Sequence, residues 1–399
     1  MRILLLSSWF PYPPDNGSRI RVFNLIRGLS KDHEITLLAL AQSVDGAMGH
    51  VAVLRRYCRE VKVTQRKPFR PRRRKAILGF LARRPRFLVD TYSAEMEALV
   101  ESTVRSNEHD LILASELGVA QYVASHDTIP KILEDAEITI FEEQFRQATG
   151  WASKLRYGLT WWKFARYIEA LLGDFDACTV VSQKERDGLA KIIPHYQAVK
   201  VIPNGVDVSL YNGDFGTPVP DTLIYPGAVT YSANYDAVDY FLKDIYPLIR
   251  DKKPGATLRV TGKTDGVSIN ELTAHDHVVF TGHVSDIRPW IAQSWACVVP
   301  LRVGAGTRFK ILESMALGTP VVSTSKGAEG LEVTPGMDIL IGDTPATFAE
   351  HVVDLLGDRQ LRERLSANGQ KLVREKHDWQ MIAQRLEAFL GDIVARKRR

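Results

Sequence analysis

The chain has 399 residues, of which 45% are hydrophobic and 25% charged, with a formal net charge of +5 at pH 7. This composition is typical of a globular protein, and the length favours two or three domains over a single core. No apolar run approaches the ~20 residues of a membrane-spanning helix, which argues against an integral membrane protein. The first apolar run, residues 3–6, is too short for a signal peptide and predicts a buried strand.

The first half of the chain alternates predicted strands with predicted helices. A strand at residues 3–8 leads into a loop with three prolines and Gly17, and apolar residues at spacing three predict a helix at 20–29. Further strands are predicted at residues 34–40, 111–115, 131–135, 177–182 and 198–205. Such alternation is typical of a parallel, doubly wound sheet.

A basic segment lies within this half, at residues 66–86. It contains ten Lys or Arg side chains and no acidic residue, with apolar side chains interleaved. Its densest part comprises Arg70, Arg72, Arg73, Arg74 and Lys75. A cationic, partly amphipathic segment suits an anionic membrane surface or an anionic lipid acceptor. A solvated basic loop is the simpler alternative, and nucleic acid is a weaker one because no nucleic-acid-binding module accompanies the segment.

The second half repeats the alternation after a predicted linker at residues 208–222, which lacks periodicity and contains glycines and prolines. Strands are predicted at residues 222–227, 256–262, 277–282, 295–300, 320–324 and 338–342, and helices at 236–250, 346–356, 359–376 and 379–394. Two α/β units of similar size suggest a cleft between them. Because ligands of such sheets bind beyond the carboxyl ends of the strands, the turns at Gly17 and Gly227 are candidate sites.

The most informative stretch is residues 299–324, VPLRVGAGTRFKILESMALGTPVVST. A buried strand is followed by the small residues Gly304, Ala305 and Gly306, which let a ligand approach the backbone. Thr307 is the predicted N-cap of a helix that runs to about Leu317. The N-terminus of this helix favours an anion, and Arg308 and Lys310 add full positive charges. Glu313, three residues after Lys310, can accept hydrogen bonds from ribose hydroxyls.

Two features of this stretch leave alternatives open. An ordinary strand–loop–helix with a Lys–Glu surface pair would have the same local pattern. Arg308 and Lys310 would also point in nearly opposite directions on a regular helix, so both reach one phosphate only if Arg308 belongs to the loop or its side chain curls back.

Several function classes are disfavoured. A G-x-G-x-x-G motif after the first strand, a Walker A sequence and a G-x-S-x-G motif are all absent, which argues against an NAD enzyme, a P-loop ATPase and a serine hydrolase. The cysteines Cys58, Cys178 and Cys297 are scattered, so a reducing, cytoplasmic compartment is expected. His275 and His277 lie close together without further ligands, which favours a polar loop over a metal site.

The chain resembles the GT-B retaining glycosyltransferases of family 4 (glycosyl transferases group 1) over essentially its whole length. The resemblance is carried by residues 13–21 (PPDNGSRIR), 201–207 (VIPNGVD), 281–286 (TGHVSD) and 303–324. It implies two Rossmann-like, doubly wound α/β domains facing a central cleft. Residues 1–207 would hold the acceptor, residues 208–378 the nucleotide-sugar donor, and residues 379–399 would form a helix that crosses back to the N-terminal domain.

The resemblance also implies roles for single residues. Glu313 matches the second glutamate of the family's E-x7-E motif, which is expected to bind ribose. Residues 304–307 match the loop that meets the sugar and the diphosphate, and Gly17 matches the N-terminal glycine loop. His283 and Val284 match a segment that usually contacts the base through its backbone.

Three departures from the family pattern matter. The first glutamate of E-x7-E falls on Ala305, so one hold on the donor sugar is missing. The usual Arg and Lys pair after the first strand of the donor domain is also absent, and Arg308 and Lys310 could replace it as diphosphate counter-ions. Where relatives often carry a histidine, this chain reads LEDAEIT, with Glu134, Asp135 and Glu137. Clustered carboxylates can supply a base, although capping of the following helix explains them equally well.

The resemblance therefore predicts a retaining glycosyltransferase of cell-envelope glycan or exopolysaccharide assembly. The leaving diphosphate can accept the proton of the acceptor hydroxyl, so the catalytic candidates are Arg308, Lys310, Glu134 and Glu137. No cofactor or metal is expected, since the nucleotide sugar is a substrate and a D-x-D-type motif is not evident. The enzyme would be cytoplasmic or peripheral on the inner face of the membrane. A nucleotide-sugar epimerase of GT-B fold and a non-catalytic scaffold are the alternatives.

Overall fold

The computed structural model describes residues 1–106, 108–267, 269–272, 277–304 and 306–398, with Asn270 and Glu271 described by their backbone alone. The chain divides into two compact units. The first unit consists of Met1–Pro203 and the C-terminal segment from Ile382, and the second of Asn204–Met381.

The strands are β1 (Arg2–Ser7), β2 (Glu34–Ala41), β3 (Glu60–Gln65), β4 (Leu111–Ser115), β5 (Lys131–Glu134), β6 (Ala177–Val180), β7 (Val199–Val201), β8 (Val219–Pro226), β9 (Thr257–Thr261), β10 (Val278–Gly282), β11 (Ser294–Val299), β12 (Val321–Ser323) and β13 (Leu340–Ile341). The α-helices are α1 (Gly17–Leu29), α2 (Val44–Met48), α3 (Val51–Leu54), α4 (Arg74–Leu78), α5 (Arg86–Thr91), α6 (Ala94–Arg105), α7 (Leu117–Ala120), α8 (Thr139–Gln147), α9 (Trp151–Gly173), α10 (Gln183–Ile192), α11 (Ser232–Tyr240), α12 (Tyr246–Lys252), α13 (Arg288–Ala292), α14 (Phe309–Ala316), α15 (Pro345–Gly357), α16 (Arg359–Lys376) and α17 (Trp379–Lys397). A π-helical turn at Phe241–Ile245 joins α11 to α12.

In the described part of the first unit, seven strands form a parallel sheet in the order β3–β2–β1–β4–β5–β6–β7. Strands β4 and β5 are buried throughout, as expected for strands that helices cover on both faces. The strand order reverses between β1 and β4. The topological switch point therefore lies at the carboxyl ends of these two strands, where Ser8 and Glu116 follow.

In the described part of the second unit, six strands form a parallel sheet in the order β10–β9–β8–β11–β12–β13. Its switch point lies between β8 and β11. Gly227 directly follows β8, and the loop that contains Gly304 follows β11. The sequence-based prediction of two doubly wound parallel sheets is confirmed.

Some predicted elements are corrected by the structure. Helix α1 begins at Gly17, three residues before the prediction, because the Asn16 side chain caps it and accepts a hydrogen bond from Arg19 N–H at 3.1 Å. The predicted linker at 208–222 is partly structured, since Val208 is buried in the core of the second unit and β8 begins at Val219. Strand β3 and helix α9 were not predicted.

From Ile382 onward, helix α17 packs within the first unit. Gly28 of α1 lies so close to it that a Cβ at this position would overlap the Cβ of Ala383. An ion pair between Lys397 Nζ and Asp176 Oδ1, 2.7 Å apart, joins its C-terminal end to the same unit. No helix in the described residues is long and apolar enough to span a bilayer.

Candidate active site

The loop–helix segment at residues 304–316 lies at the switch point of the second sheet. Helix α14 begins at Phe309, and Arg308 is its N-cap residue, with non-helical φ of −89° and ψ of 68°. The prediction of Thr307 as the N-cap is therefore wrong: its Oγ1 accepts a hydrogen bond from Asn204 Nδ2 at 2.7 Å. Because Arg308 precedes the helix, the regular helical geometry that would direct it away from Lys310 does not apply.

The buried side chain of Arg308 turns back to the glycine loop. Its Nη2 donates a hydrogen bond to the carbonyl of Gly304 at 2.8 Å. Gly304 and Gly306 have φ of 107° and 85°, a region that favours glycine. Arg308 thus holds the loop backbone. No side chain caps α14, and its first turn contains no acidic residue, so its partial positive charge can act on an anion.

The side chain of Lys310 extends towards the end of β8. Its Nζ donates hydrogen bonds to Tyr225 Oη at 2.9 Å and to Asn234 Oδ1 at 3.0 Å. The same Nζ lies 4.0 Å from the centroid of the Tyr225 ring. Burial lowers the pKa of Lys310 to about 7, with Arg308 also lowering it and Cys297 and Glu313 opposing the shift.

Gly227 leaves room for this ammonium group. A Cβ at this position would lie 2.7 Å from Lys310 Nζ and 3.0 Å from Asn234 Nδ2. Asn234 Nδ2 in turn donates to the carbonyl of Ala228 at 2.9 Å. The turn after β8, the ammonium group and the start of α11 therefore form one tightly packed cluster.

Glu313 lies one turn inside α14. Tyr211 Oη donates a hydrogen bond to its Oε1 at 3.1 Å. Among the described residues, its Oε2 has no hydrogen-bond partner. Burial raises the pKa of Glu313, while the hydrogen bond from Tyr211 and the charge of Lys310 oppose this shift. A half-buried carboxylate with one open oxygen is suited to accept hydrogen bonds from a diol.

The first unit contains a cavity of about 390 Å³ at the switch point between β1 and β4. Three carboxylates line it, those of Glu116, Asp135 and Glu137, and we call it the carboxylate cavity. Trp9 also lines it, with the Arg66 guanidinium 3.6 Å from its ring centroid. Its walls are therefore both acidic and aromatic.

Burial raises the pKa values of the three cavity carboxylates. The pKa of Glu116 rises to about 7, because burial and the charges of Asp135 and Glu134 outweigh hydrogen bonding by Ser18 and Ser8. Burial also raises the pKa of Asp135, with Arg21 opposing the shift, and that of Glu137. Asp135 is buried, and its Oδ1 has no hydrogen-bond partner among the described residues.

Glu134 does not share this environment. It is fully buried, and its Oε1 accepts a hydrogen bond from Arg21 Nε at 2.7 Å. Its Oε2 accepts one from Ser115 Oγ at 2.8 Å. Arg21 also donates to the carbonyls of Ile202 and Pro203. With both oxygens engaged and no place in the cavity lining, Glu134 is better suited to stabilise the unit than to accept a proton from a substrate.

Two family profiles match the chain. The profile described as "Glycosyltransferase Family 4" matches residues 15–210, and the one described as "Glycosyl transferases group 1" matches residues 220–358. The chain belongs to glycosyltransferase family 4. It is thus a glycosyltransferase that uses a nucleotide sugar.

Individual relatives of this family 4 glycosyltransferase are distant. A Klebsiella pneumoniae protein described as "Uncharacterized 44.6 kDa protein in cps region" is 20% identical over 404 residues, which cover 94% of this chain and 96% of that protein. The GDP-mannose-dependent alpha-(1-6)-phosphatidylinositol monomannoside mannosyltransferase of Mycobacterium tuberculosis is 26% identical over 259 residues, covering 58% of this chain and 66% of that protein. HepE of Anabaena, solved in complex with UDP and glucose, is 17% identical, covers 98% of this chain and 100% of its own, and has a TM-score of 0.67. The structural likeness confirms the GT-B fold.

The donor residues predicted for this family 4 enzyme fall at different strands of the second sheet. Gly227, Gly304, Lys310 and Glu313 follow the two strands at its switch point. His283 and Val284 follow the edge strand β10, two strands away from β8, and His283 is exposed. Ala305 and His275 lie outside the described residues. Gly17, the first residue of α1, is followed by Ser18, which lines the carboxylate cavity.

The remaining predictions for this glycosyltransferase concern its basic segment and metals. Arg70, Arg72, Arg74 and Lys75 are exposed, whereas Arg73 is half-buried with Nη1 3.9 Å from Asp90 Oδ1. In the parts of the chain that the structure describes, no group of three or more His, Cys, Asp or Glu side chains could hold a metal ion. Metal-independent activity stays a prediction.

Sequence reasoning missed Glu116, Tyr225 and Asn234. The signal for Glu116 was its place directly after the predicted strand 111–115, which pairs with β1 at the switch point. Tyr225 and Asn234 contact Lys310 across 85 and 76 residues of sequence, and no local pattern relates them to it.

Proposed function

We propose that this enzyme transfers a sugar from a nucleoside-diphosphate sugar to an acceptor hydroxyl with retention of anomeric configuration, in cell-envelope glycan or exopolysaccharide assembly. The observation that carries the proposal is the grouping of Lys310, Glu313 and the uncapped start of α14 at the switch point of one sheet. The relative from the cps region and the mannosyltransferase that acts on a phosphatidylinositol mannoside support an envelope glycan.

The donor would be bound by its ribose and its diphosphate. Glu313 would accept hydrogen bonds from the ribose hydroxyls, because its Oε2 is open and Tyr211 orients its Oε1. The diphosphate would lie at the start of α14, where the helix dipole and the Lys310 ammonium both favour negative charge. Arg308, whose guanidinium holds Gly304, would position the glycine loop against the diphosphate.

The chemistry then needs a stabilised leaving group more than a protein nucleophile. The bond between the anomeric carbon and the phosphate oxygen breaks, and negative charge develops on that oxygen. The acceptor oxygen bonds to the same face of the sugar, and its proton passes to the departing phosphate oxygen, which gives retention. Lys310 and the helix dipole stabilise the developing charge, an effect that typically contributes about 10²–10³ in rate for one donor group.

The acceptor would be bound in the carboxylate cavity of the first unit. Asp135 Oδ1 lacks a hydrogen-bond partner among the described residues, so an acceptor hydroxyl would satisfy a buried polar atom. Glu137 lines the same cavity and keeps its predicted role near the acceptor, whereas the role predicted for Glu134 passes to Asp135. The acceptor class is thus a polyhydroxylated group small enough for about 390 Å³.

A thermal-shift screen against UDP-, GDP-, ADP- and dTDP-sugars tests the donor site. We expect one class to raise the unfolding temperature of the wild type and to shift Lys310→Met far less. NMR of the products then reports the anomeric configuration, and inversion would contradict the mechanism. Donor turnover without any acceptor would favour an epimerase, and no shift with any donor would favour a scaffold.

Excess EDTA tests the metal prediction. We expect activity to persist, because Lys310 and the start of α14 can supply the positive charge that a metal ion would otherwise provide. Loss of activity that Mg²⁺ or Mn²⁺ restores would contradict this expectation.

A further inference from the structure

Helix α9 carries an apolar stripe on its solvent side. Trp151, Leu155, Leu159 and Trp162 recur at spacings of four, four and three residues, so they lie on one helical face. Trp151 is 82% exposed and Leu155 is 68% exposed. The other side of the helix is anchored, since Phe164 is fully buried in the core of the unit. A contiguous patch of large exposed apolar side chains marks an interaction surface.

The C-terminal end of α4 and the turn after it extend this stripe. Its large apolar side chains, all exposed, are Ile77, Leu78, Phe80 and Leu81. Lys163 of α9 donates a hydrogen bond from Nζ to the carbonyl of Gly79 at 3.1 Å. Leu81, which is 88% exposed, lines one surface cavity of about 970 Å³ together with Trp162. The two helices therefore form one continuous apolar surface, which we call the α4–α9 face.

Positive charge predominates around this face, although Glu169 and Asp174 line the same surface cavity. Residues 66–86 contain ten Lys or Arg side chains and no acidic residue. Residues 151–168 contain four Lys or Arg side chains and likewise no acidic residue. The exposed cations are Lys67, Arg70, Arg72, Arg74, Lys75, Arg83, Arg84, Lys154, Arg156 and Arg166. Elements that lie in a bilayer interface have this composition, in which Trp, Leu and Ile side chains are surrounded by Lys and Arg.

From these observations we infer that the α4–α9 face docks the enzyme on an anionic lipid bilayer. The apolar side chains enter the boundary between headgroups and acyl chains, and the cations contact the headgroups. Nucleic acid matches the charge but not the leucines and isoleucines, since single strands are bound by aromatic stacking. A bilayer matches both components.

The docking face and the carboxylate cavity are connected through packed aromatic side chains. The basic segment supplies Phe69 to the cavity lining, and Phe87, the residue directly after it, lines the cavity as well. Phe87 stacks on Phe141 at 5.8 Å between ring centroids, and Phe141 contacts Phe164 of α9 at 4.5 Å. Because of this, and resting on the proposed function, the acceptor is a lipid-linked one that a docked enzyme receives from the bilayer surface.

Vesicle flotation of the full chain tests the inference. Vesicles of phosphatidylcholine alone are compared with vesicles that contain 30% phosphatidylglycerol. We expect binding to the anionic vesicles only, weakened by salt, with a blue shift of tryptophan emission. Trp151→Ser/Leu155→Ser/Trp162→Ser should lose at least tenfold in partitioning. In the variant Arg72→Ala/Arg74→Ala/Lys75→Ala, partitioning onto the anionic vesicles should fall roughly fivefold for each charge removed, which is on the order of a hundredfold for all three.

The matched control is Leu248→Ser/Met337→Ser, which removes exposed apolar side chains from the second unit and should not change binding. Binding that both docking variants retain would overturn the inference. Two other results would overturn it. In the first, the wild type does not bind anionic vesicles but forms a dimer, and the stripe variant (Trp151→Ser/Leu155→Ser/Trp162→Ser) is a monomer. In the second, the wild type binds a DNA oligonucleotide and no vesicle. Thermal shifts with UDP and GDP should be equal in wild type and stripe variant, so loss of docking is separable from failure of the donor proposal.

Discussion

The pKa of Lys310 gives a quantitative test of the donor site. The ammonium group is charged below about pH 7 and neutral above it in the free protein. A bound diphosphate favours the charged form, so binding above pH 7 must be accompanied by proton uptake. The affinity of the wild type for UDP or GDP should therefore be highest at low pH and fall as the pH rises.

The size of the effect follows from the charge that Lys310 contributes. A hydrogen bond to a charged group contributes about 1.5–3 kcal/mol, so Lys310→Met should bind the nucleotide about 10- to 150-fold more weakly than the wild type at pH 6. Only about one tenth of the wild-type molecules carry the charge at pH 8 before binding, and about one hundredth at pH 9. The affinities of wild type and variant should therefore converge near pH 9.

Isothermal titration calorimetry from pH 6 to 9 measures both quantities. The terminal phosphate itself titrates near pH 6, and the ratio of the two dissociation constants removes this common contribution. Repeating the titration at pH 8 in buffers of different ionisation enthalpy should show uptake of about 0.4 to 0.9 of a proton by the wild type, depending on the size of the charge effect, and none by Lys310→Met. A ratio that stays constant across the range would refute the assignment of Lys310 to the diphosphate.

Other changes separate the remaining roles. Glu313→Gln removes the charged acceptor proposed for ribose, so calorimetry should show about tenfold weaker binding of UDP or GDP and unchanged binding of inorganic pyrophosphate; equal loss for both would refute the ribose role. Gly227→Ala places a Cβ 2.7 Å from the ammonium group and should lower turnover without lowering the unfolding temperature, whereas Gly391→Ala, whose Cβ meets nothing within 4 Å, should do neither. Arg21→Met leaves the Glu134 carboxylate buried without its counter-ion, so urea unfolding should show a loss of about 3–5 kcal/mol. The double change Arg21→Met/Glu134→Met should recover part of that loss, and no recovery would argue against a structural ion pair.

Much of the fold could be predicted because its strands are short apolar runs. Strands β4 and β5 are buried at every position, and such runs are visible in a single sequence. The edge strand β3 was missed because it is only partly buried and carries Lys62 among its apolar residues. Buried central strands are therefore easier to predict than edges.

The site was predictable in its residues but not in its contacts. The helix was expected to begin after Thr307, yet the hydroxyl of this residue is engaged by Asn204, about a hundred residues away. The helix begins after Arg308 instead, which resolves the conflict in direction between Arg308 and Lys310. Local capping rules cannot foresee a tertiary hydrogen bond that removes the capping group.

Helix α9 shows what apolar periodicity cannot predict, which is whether an apolar face is buried. Apolar residues at 151, 155, 159 and 162 have the spacing of a core-facing stripe, and pattern alone would bury them. The structure buries Phe164, Ile168 and Leu172 instead and leaves the stripe exposed. Periodicity identifies an apolar face, but only packing tells whether that face meets the core or a partner.

The two proposed sites share an electrostatic property that explains how charged groups can be buried in an empty enzyme. A permanent ammonium beside Tyr225, or three permanent carboxylates in one cavity, would destabilise the folded chain by desolvation and, in the cavity, by mutual repulsion. Shifted pKa values avoid this: near neutral pH Lys310 is partly neutral, and Glu116 is partly protonated. The diphosphate then draws a proton onto Lys310, so the counter-ion forms where and when negative charge arrives. A polar acceptor would in the same way favour ionisation of the cavity carboxylates. Substrate binding itself would therefore generate the charges that the reaction needs, and the free enzyme would not have to hold them.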